Sequence, residues 1–128
     1  MSPRSLKRSN IFASFGYAIR GLFYTFFTQR NMWIHSGLGF LALIGGIYFH
    51  FSRIEWCLLV FSVSFVLVCE TINTAIEISV DLTTKKRRFR AMLSKDVAAG
   101  AVFLSALNSM AIGYLLFYDR LVNLIKEL

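Results

Sequence analysis

The sequence has few of the residues and motifs that mark most soluble enzymes. It contains one proline, and 16% of its 128 residues are charged. It has no glycine-rich phosphate loop, no G-x-S-x-G motif and no metal-type Cys/His cluster, which excludes the common nucleotide-loop, serine-hydrolase and zinc-site signatures. The two cysteines, Cys57 and Cys69, lie in an apolar run, where we expect small hydrophobic residues and not a disulfide. Because repeats and linkers are also missing, we predict a single domain over residues 1–128.

Apolar residues, in contrast, are abundant. They make up 56% of the chain, and the mean hydropathy is +0.59. A soluble domain of this size could not bury so much apolar surface, because small domains have a high surface-to-volume ratio. The net charge is +7, and the cations flank hydrophobic runs, which fits anionic lipid headgroups better than nucleic acid. We therefore predict a multi-pass membrane protein that contacts membrane lipids and has no nucleic-acid partner.

The apolar residues fall into four segments. At about residues 8–30, aromatic side chains recur at helical spacing, as in an amphipathic helix that lies on a membrane surface. Three apolar runs follow, at about residues 34–51, 54–82 and 97–118, and each is long enough for a helix that crosses a bilayer, which takes about 20 residues. Glycines in the first run would allow close helix packing. The predicted fold is an all-α membrane protein with an N-terminal amphipathic surface helix and three transmembrane helices.

The distribution of Lys and Arg predicts the orientation. These residues are concentrated before the first run and between the second and third runs, whereas the connection after the first run carries only Arg53. Cytoplasmic segments of membrane proteins are enriched in Lys and Arg. We therefore expect the N-terminus and the connection at residues 83–96 to be cytoplasmic.

The second apolar run contains a set of polar residues, C69-E-T-I-N-T-A-I-E-I-S-V-D81. With about 100° between successive residues of a helix, four side chains share one narrow stripe: Glu70, Asn73, Glu77 and Asp81. Carboxylates within a membrane span are costly unless they are paired, so they are rare and usually functional. Oxygen ligands suit Mg²⁺, which in turn carries nucleotide phosphates. The stripe predicts a cation site that extends from within the membrane at Glu70 to its cytoplasmic end at Asp81.

The third apolar run opens with S94-K-D-V-A-A-G-A101. Lys95 can contact a phosphate as a point charge, and Asp96 can accept from a ligand or hold Lys95 in place. The preceding K85-K-R-R-F-R90 is interpreted as an anchor at the lipid headgroups. Alternatively, the acidic stripe forms ion pairs with Lys95 and the loop arginines that hold the helices together. His35, at the start of a span, is interpreted as an interfacial histidine.

Two of these motifs together resemble the signature of a known family. E70-x-x-N73-T-A-I-E77-x-x-x-D81 and K95-D96-x-A-A-G-A-V102, with 14 residues from the last Asp to the Lys, are similar to the bacterial diacylglycerol kinase and undecaprenol kinase family. The resemblance extends to G16-Y-A-I-R-G21 and N31-M-W-I-H35, and so covers nearly the whole chain. It implies ATP-dependent phosphorylation of a lipid alcohol by a homotrimer with composite active sites in the bacterial cytoplasmic (inner) membrane. The N-T-A-I-E motif is more similar to the undecaprenol kinase branch, but both undecaprenol and diacylglycerol remain possible acceptors.

The resemblance also implies roles for individual residues. Glu70 would be the general base on the lipid hydroxyl, and Glu77 would bind the Mg²⁺ that bridges the ATP phosphates. The residues implied at the ATP site are Tyr17, Asn73, Glu77, Asp81, Lys95 and Asp96. Gln29 stands where the family usually has a glutamate as a second metal ligand. Its carbonyl can coordinate Mg²⁺, but it supplies no charge.

Two alternative functions stay open at this point. The chain could be a catalytically inactive relative, which the missing charge at Gln29 favours. It could also be a non-enzymatic membrane protein that binds a cation or anionic lipid, such as a channel subunit. A pore would favour polar residues along several helices, whereas only the second apolar run has a stripe of polar residues.

Overall fold

The computed structural model describes residues 10–86 and 88–128, and these form an all-helical chain. Residues 8 and 9 of the predicted surface helix, and residue 87 of the basic segment, lie outside the described residues. The helices are α1 (Ile11–Thr28), α2 (Arg30–Tyr48), α3 (Arg53–Thr83) and α4 (Phe89–Glu127). Each of the four predicted segments therefore corresponds to one helix.

Several helix boundaries differ from the hydropathy pattern: α2 begins at Arg30 rather than near residue 34, and α4 ends at Glu127 rather than near residue 118. Only Gln29 separates α1 from α2, and its extended backbone (φ −105°, ψ 115°) turns the chain between them. The last helix begins at Phe89 rather than near residue 97, so the connection between α3 and α4 is much shorter than the predicted 83–96. Hydropathy indicates the part of a helix that is apolar, whereas the backbone hydrogen bonds of α4 continue into the polar residues at both of its ends.

Two of the helices, α3 and α4, are long and apolar enough to cross a membrane. In their most apolar windows only 33% of α3 and 17% of α4 is buried within the chain. The core helix of a soluble protein would be mostly buried, so these exposed apolar faces suit contact with lipid or with another subunit. The hydropathy of α2 is lowered by polar residues in its first two turns and by its four glycines.

The packing of α2, α3 and α4 depends on glycines at which two helices approach closely. A Cβ atom on Gly46 would lie 3.1 to 3.3 Å from side-chain atoms of Trp56, Phe51 and Leu59. A Cβ atom on Gly39 would lie 2.7 Å from Cγ1 of Val63. The predicted role of glycines in close packing is confirmed at these positions, which adjoin the buried cluster of Phe51, Leu59 and Leu116.

The α2–α3 turn is fixed by a capping box and by one ion pair. The backbone N–H of Ser52 donates to Oε2 of Glu55 at 2.8 Å, and the N–H of Glu55 donates to Oγ of Ser52 at 3.4 Å. From α4, Arg120 donates to Oε1 of Glu55 at 2.7 Å and lies 4.7 Å from the ring centroid of Phe51. These contacts hold α3 and α4 together at the end of the bundle remote from the polar stripe of α3.

Candidate active site

The polar stripe of α3 faces the interior of the helix bundle at Glu70 and Asn73. Glu70 and Thr74 are each 1% exposed, and Asn73 is 8% exposed. Thr74 Oγ1 donates to the backbone carbonyl of Glu70 at 2.9 Å, and Asn73 Nδ2 donates to Oε1 of Glu77 at 3.1 Å. The helix therefore places three members of the predicted stripe on one face, as their spacing indicated.

A cavity of about 420 Å³ lies against this face, and α2 and α4 form its other walls. Its polar lining consists of Asn31, His35, Glu70, Asn73 and Glu77. The α4 wall includes Ala99 and Ala106, whose small side chains leave room beside the carboxylates. The arrangement brings two acidic side chains, two amides and one imidazole to a single cavity inside an apolar bundle.

Two buried oxygens in this cavity have no hydrogen-bond partner within the described chain: Oε1 of Glu70 and Oδ1 of Asn73. Buried polar atoms are normally hydrogen-bonded, so two acceptors without a partner among the residues that line one cavity indicate a place for a ligand. The nearest basic group is Nε2 of His35, 3.6 Å from Oε1 of Glu70, which is longer than a hydrogen bond. Among the described residues, neither Glu70 nor Glu77 forms an ion pair with a Lys or Arg.

The last acidic residue of the stripe has a different environment. Oδ1 of Asp81 accepts from Nζ of Lys95 at 2.6 Å, which joins α3 to α4, and both side chains are partly exposed to solvent. Among the described residues, Asp81 is the member of the stripe that forms the ion pair between helices considered as an alternative above. This pair borders a second cavity, of about 460 Å³, whose lining also includes Lys85, Lys86 and Arg88. The excess of cations there suits an anionic ligand such as a phosphate chain.

Three of the predicted site residues lie away from both cavities. Tyr17 is half exposed on α1, Gln29 lies between α1 and α2, and Asp96 is exposed on α4. None of them lines the cavity at Glu70 or the cavity at Asp81. Conversely, the sequence reasoning missed the proximity of His35 to Glu70. The available signal was the spacing of Asn31 and His35, which places them one helical turn apart on the same face of α2.

The donor atoms at the Glu70 cavity are compatible with magnesium. Among the described residues, no group of three or more His, Cys, Asp or Glu side chains is arranged to hold a metal ion. Mg²⁺, however, is commonly held by one or two carboxylates and completed by substrate phosphates and water. The carboxylate of Glu77 and the free amide oxygen of Asn73 are hard oxygen donors of this kind. The residues therefore fit a cation that arrives with a nucleotide.

Comparisons with known proteins show the family to which the chain belongs. The model of the family "Prokaryotic diacylglycerol kinase" matches residues 16–117, which include every predicted site residue. An undecaprenol kinase of Bacillus subtilis is 39% identical over 113 residues, which cover 88% of this chain and 92% of the relative. A diacylglycerol kinase of Synechocystis is 36% identical over 116 residues, which cover 90% of this chain and 66% of the relative. The chain therefore belongs to the prokaryotic diacylglycerol kinase family.

Proposed function

We propose that the protein transfers the γ-phosphoryl group of ATP to the hydroxyl of a membrane lipid alcohol, undecaprenol or diacylglycerol, and releases the lipid phosphate. The observation that carries this proposal is the carboxylate of Glu70. It is 1% exposed, and its Oε1 is free of hydrogen bonds in a cavity that also contains Asn73 and Glu77. Family membership supports the same reaction, since the two relatives are named as kinases of these two lipids.

Glu70 is the general base of the proposed reaction. Its carboxylate accepts the proton of the lipid hydroxyl as the hydroxyl oxygen bonds to the γ-phosphorus and the bond to the leaving ADP oxygen breaks. Asn73, adjacent on the same face, orients the reacting groups through its amide. In phosphoryl transfer most of the rate acceleration comes from positioning and charge stabilisation, so a base with a fixed backbone and few competing contacts is well suited. The hydrogen bond from Thr74 to the Glu70 carbonyl supports that fixed position.

The ATP phosphates lie, in this proposal, between the Glu70 cavity and the cationic cavity. Glu77 would hold Mg²⁺, with a contribution from the Gln29 carbonyl, and the ion would supply positive charge to neutralise the phosphates. Lys95, oriented by Asp81 at 2.6 Å, contacts the phosphates as a point charge. Tyr17 and Asp96 complete the nucleotide site.

We further propose a homotrimer with composite active sites. Tyr17, Gln29 and Asp96 do not line either cavity of one chain, so a neighbouring subunit would be needed to bring them to the nucleotide. The exposed apolar faces of α3 and α4 offer surface for such an assembly.

We also propose that α2 spans the membrane together with α3 and α4, while α1 lies on the surface. The concentration of Lys and Arg before α2 and between α3 and α4 supports a cytoplasmic N-terminus and a cytoplasmic active site. The compartment that follows is the bacterial cytoplasmic (inner) membrane.

The test is product analysis with purified protein in lipid vesicles and ATP labelled at the γ-phosphate. Vesicles that contain undecaprenol, and separate vesicles that contain diacylglycerol, should show which acceptor becomes a labelled lipid phosphate. We expect label in at least one lipid, loss of transfer in EDTA and recovery on adding Mg²⁺. ATP hydrolysis or cation flux without any labelled lipid would contradict the proposal and favour a non-enzymatic or inactive relative.

A further inference from the structure

His35 lies in the wall between two cavities and beside the buried carboxylate of Glu70. Its Nε2 is 3.6 Å from Oε1 of Glu70, and the two side chains are 21% and 2% exposed. The imidazole lines the 420 Å³ cavity that contains Glu70. It also lines an adjoining cavity of about 280 Å³ between α2, α3 and α4, where Ser62 donates to Ser109 at 2.9 Å. The imidazole ring therefore lies between the two cavities. Its Nε2 faces the Glu70 oxygen that has no hydrogen-bond partner among the described residues.

The contacts of His35 differ from those of a histidine that only fills space. Within the described parts of the chain, its one polar contact is the approach to Glu70. A histidine that served packing alone would normally bond to a backbone carbonyl or another side chain. Oε1 of Glu70 likewise has no hydrogen-bond partner among the described residues, although the side chain of Asn31 also lies close enough to interact with this carboxylate. Each of the two groups is therefore the natural partner of the other.

The distance between them is consistent with a hydrogen bond that forms during the reaction. Catalytic hydrogen bonds are often long in the absence of substrate and shorten in the complex. A rotation of the imidazole that moves Nε2 by less than about 1 Å would give an ordinary N–H···O contact. A neutral imidazole that carries its proton on Nε2 can also donate this hydrogen bond, so the contact does not require the charged form of His35.

We infer that His35 is a positioning residue for Glu70. The Nε2–H of His35 holds Oε1 of Glu70, which fixes the carboxylate in one orientation and leaves its other oxygen to accept the proton of the lipid hydroxyl. This role rests on the proposed kinase function and adds a residue on α2 to the polar stripe of α3. It concerns the orientation of the base and not the binding of ATP.

The test compares three variants in the lipid phosphorylation assay. His35→Leu removes the donor, and we expect its kcat to fall about 10- to 100-fold while the KM for ATP stays within about twofold. His35→Gln keeps an amide N–H at a similar distance from the backbone, and we expect it to recover most of the lost turnover. His50→Asn is the matched control, because His50 is the other histidine of the chain and lies at the α2–α3 turn, remote from Glu70. Its turnover should equal that of the unaltered protein.

Normal turnover of His35→Leu would overturn the inference. A loss that His35→Gln does not recover, in a protein with unchanged thermal stability, would also overturn it. Absence of lipid phosphorylation by the unaltered protein is a different result, since it refutes the proposed function itself.

A spectroscopic measurement tests the contact without relying on catalysis. In protein labelled with ¹⁵N-histidine, the ring resonances of His35 are assigned by their loss in His35→Leu, and those of His50 by their loss in His50→Asn. The substitution Glu70→Gln should shift the His35 resonances and leave those of His50 in place. Unchanged His35 resonances would contradict the contact.

Discussion

At the scale of single residues, the candidate site combines a deeply buried carboxylate with a more exposed cationic region. Glu70 is 1% exposed, whereas the side chains of Lys95 and Asp81 are 37% and 66% exposed. An exposed ion pair contributes little to stability, about 0 to 1 kcal/mol, because water and salt screen it. We therefore propose that the close contact of Lys95 with Asp81 serves mainly to place a charge near the ATP phosphates.

Replacement of Lys95 tests this explanation. We expect Lys95→Met to raise the KM for ATP about tenfold or more, because a charged contact with phosphate is lost, and to change the thermal midpoint only slightly. Lys126→Met, near the end of α4, is the control and should change neither quantity. The kinetic constants come from initial rates of lipid phosphorylation at varied ATP concentration. An unchanged KM together with a marked fall in the midpoint would show that the pair has a structural role only.

Part of this site was predictable from the sequence, and the reason is the regularity of the helix. The spacing of Glu70, Asn73 and Glu77 places them on one face in any α-helix, and the structure has them lining one cavity. The partner of Asp81 depends on how α4 packs against α3, so the sequence left phosphate binding and ion pairing as alternatives for Lys95. The approach of His35 to Glu70 depends likewise on the placement of α2. No local pattern encodes such distances between helices.

At the scale of helices, glycines determine how closely α2 packs against α3. Gly46 adjoins three large side chains at distances that leave little space for a methyl group, whereas nothing lies within 4 Å of a Cβ atom on Gly37. The hydropathy pattern predicted the existence of the helices. It did not predict their ends, because the amide groups of the polar residues at both ends of α4 continue the helical hydrogen bonding beyond the apolar part.

Alanine substitutions at these two glycines should have opposite effects. We expect Gly46→Ala to lower the free energy of unfolding by about 1 to 3 kcal/mol, because the added methyl group overpacks the contact with Leu59 and Trp56. Gly37→Ala is the matched control on the same helix, and it should leave stability unchanged or raise it by up to about 1 kcal/mol through helix propensity. Thermal or denaturant unfolding in detergent measures both. Equal stability of the two variants would contradict the packing described for α2.

At the scale of the whole molecule, the charge distribution and the exposed apolar faces support the membrane orientation proposed above. Most residues in the apolar windows of α3 and α4 are not buried within the chain, and the Lys and Arg residues are concentrated before α2 and between α3 and α4. Lipid substrate and ATP come from different phases. In the proposed mechanism, the carboxylate of Glu70 inside the bundle and the cations toward the end of α3 bring the reaction to the boundary between those phases.

Cysteine accessibility tests this orientation. In a chain with Cys57 and Cys69 replaced by serine, a single cysteine is introduced either as Ser52→Cys in the α2–α3 turn or as Thr84→Cys between α3 and α4. A membrane-impermeant maleimide added to intact cells should label the first variant, and it should label the second only after the membrane is permeabilised. The reverse pattern would place the site outside the cytoplasm.

We propose that Glu70 is the base for phosphoryl transfer to a lipid hydroxyl, and the activity of a variant without this carboxylate tests that role. The rate of labelled lipid phosphate formation is compared between the unaltered protein, Glu70→Gln and Glu127→Gln, which alters an exposed carboxylate at the end of α4. We predict that Glu70→Gln lowers turnover by about 100-fold or more in a protein that remains folded, while Glu127→Gln retains activity. Near-normal turnover of Glu70→Gln would contradict the account.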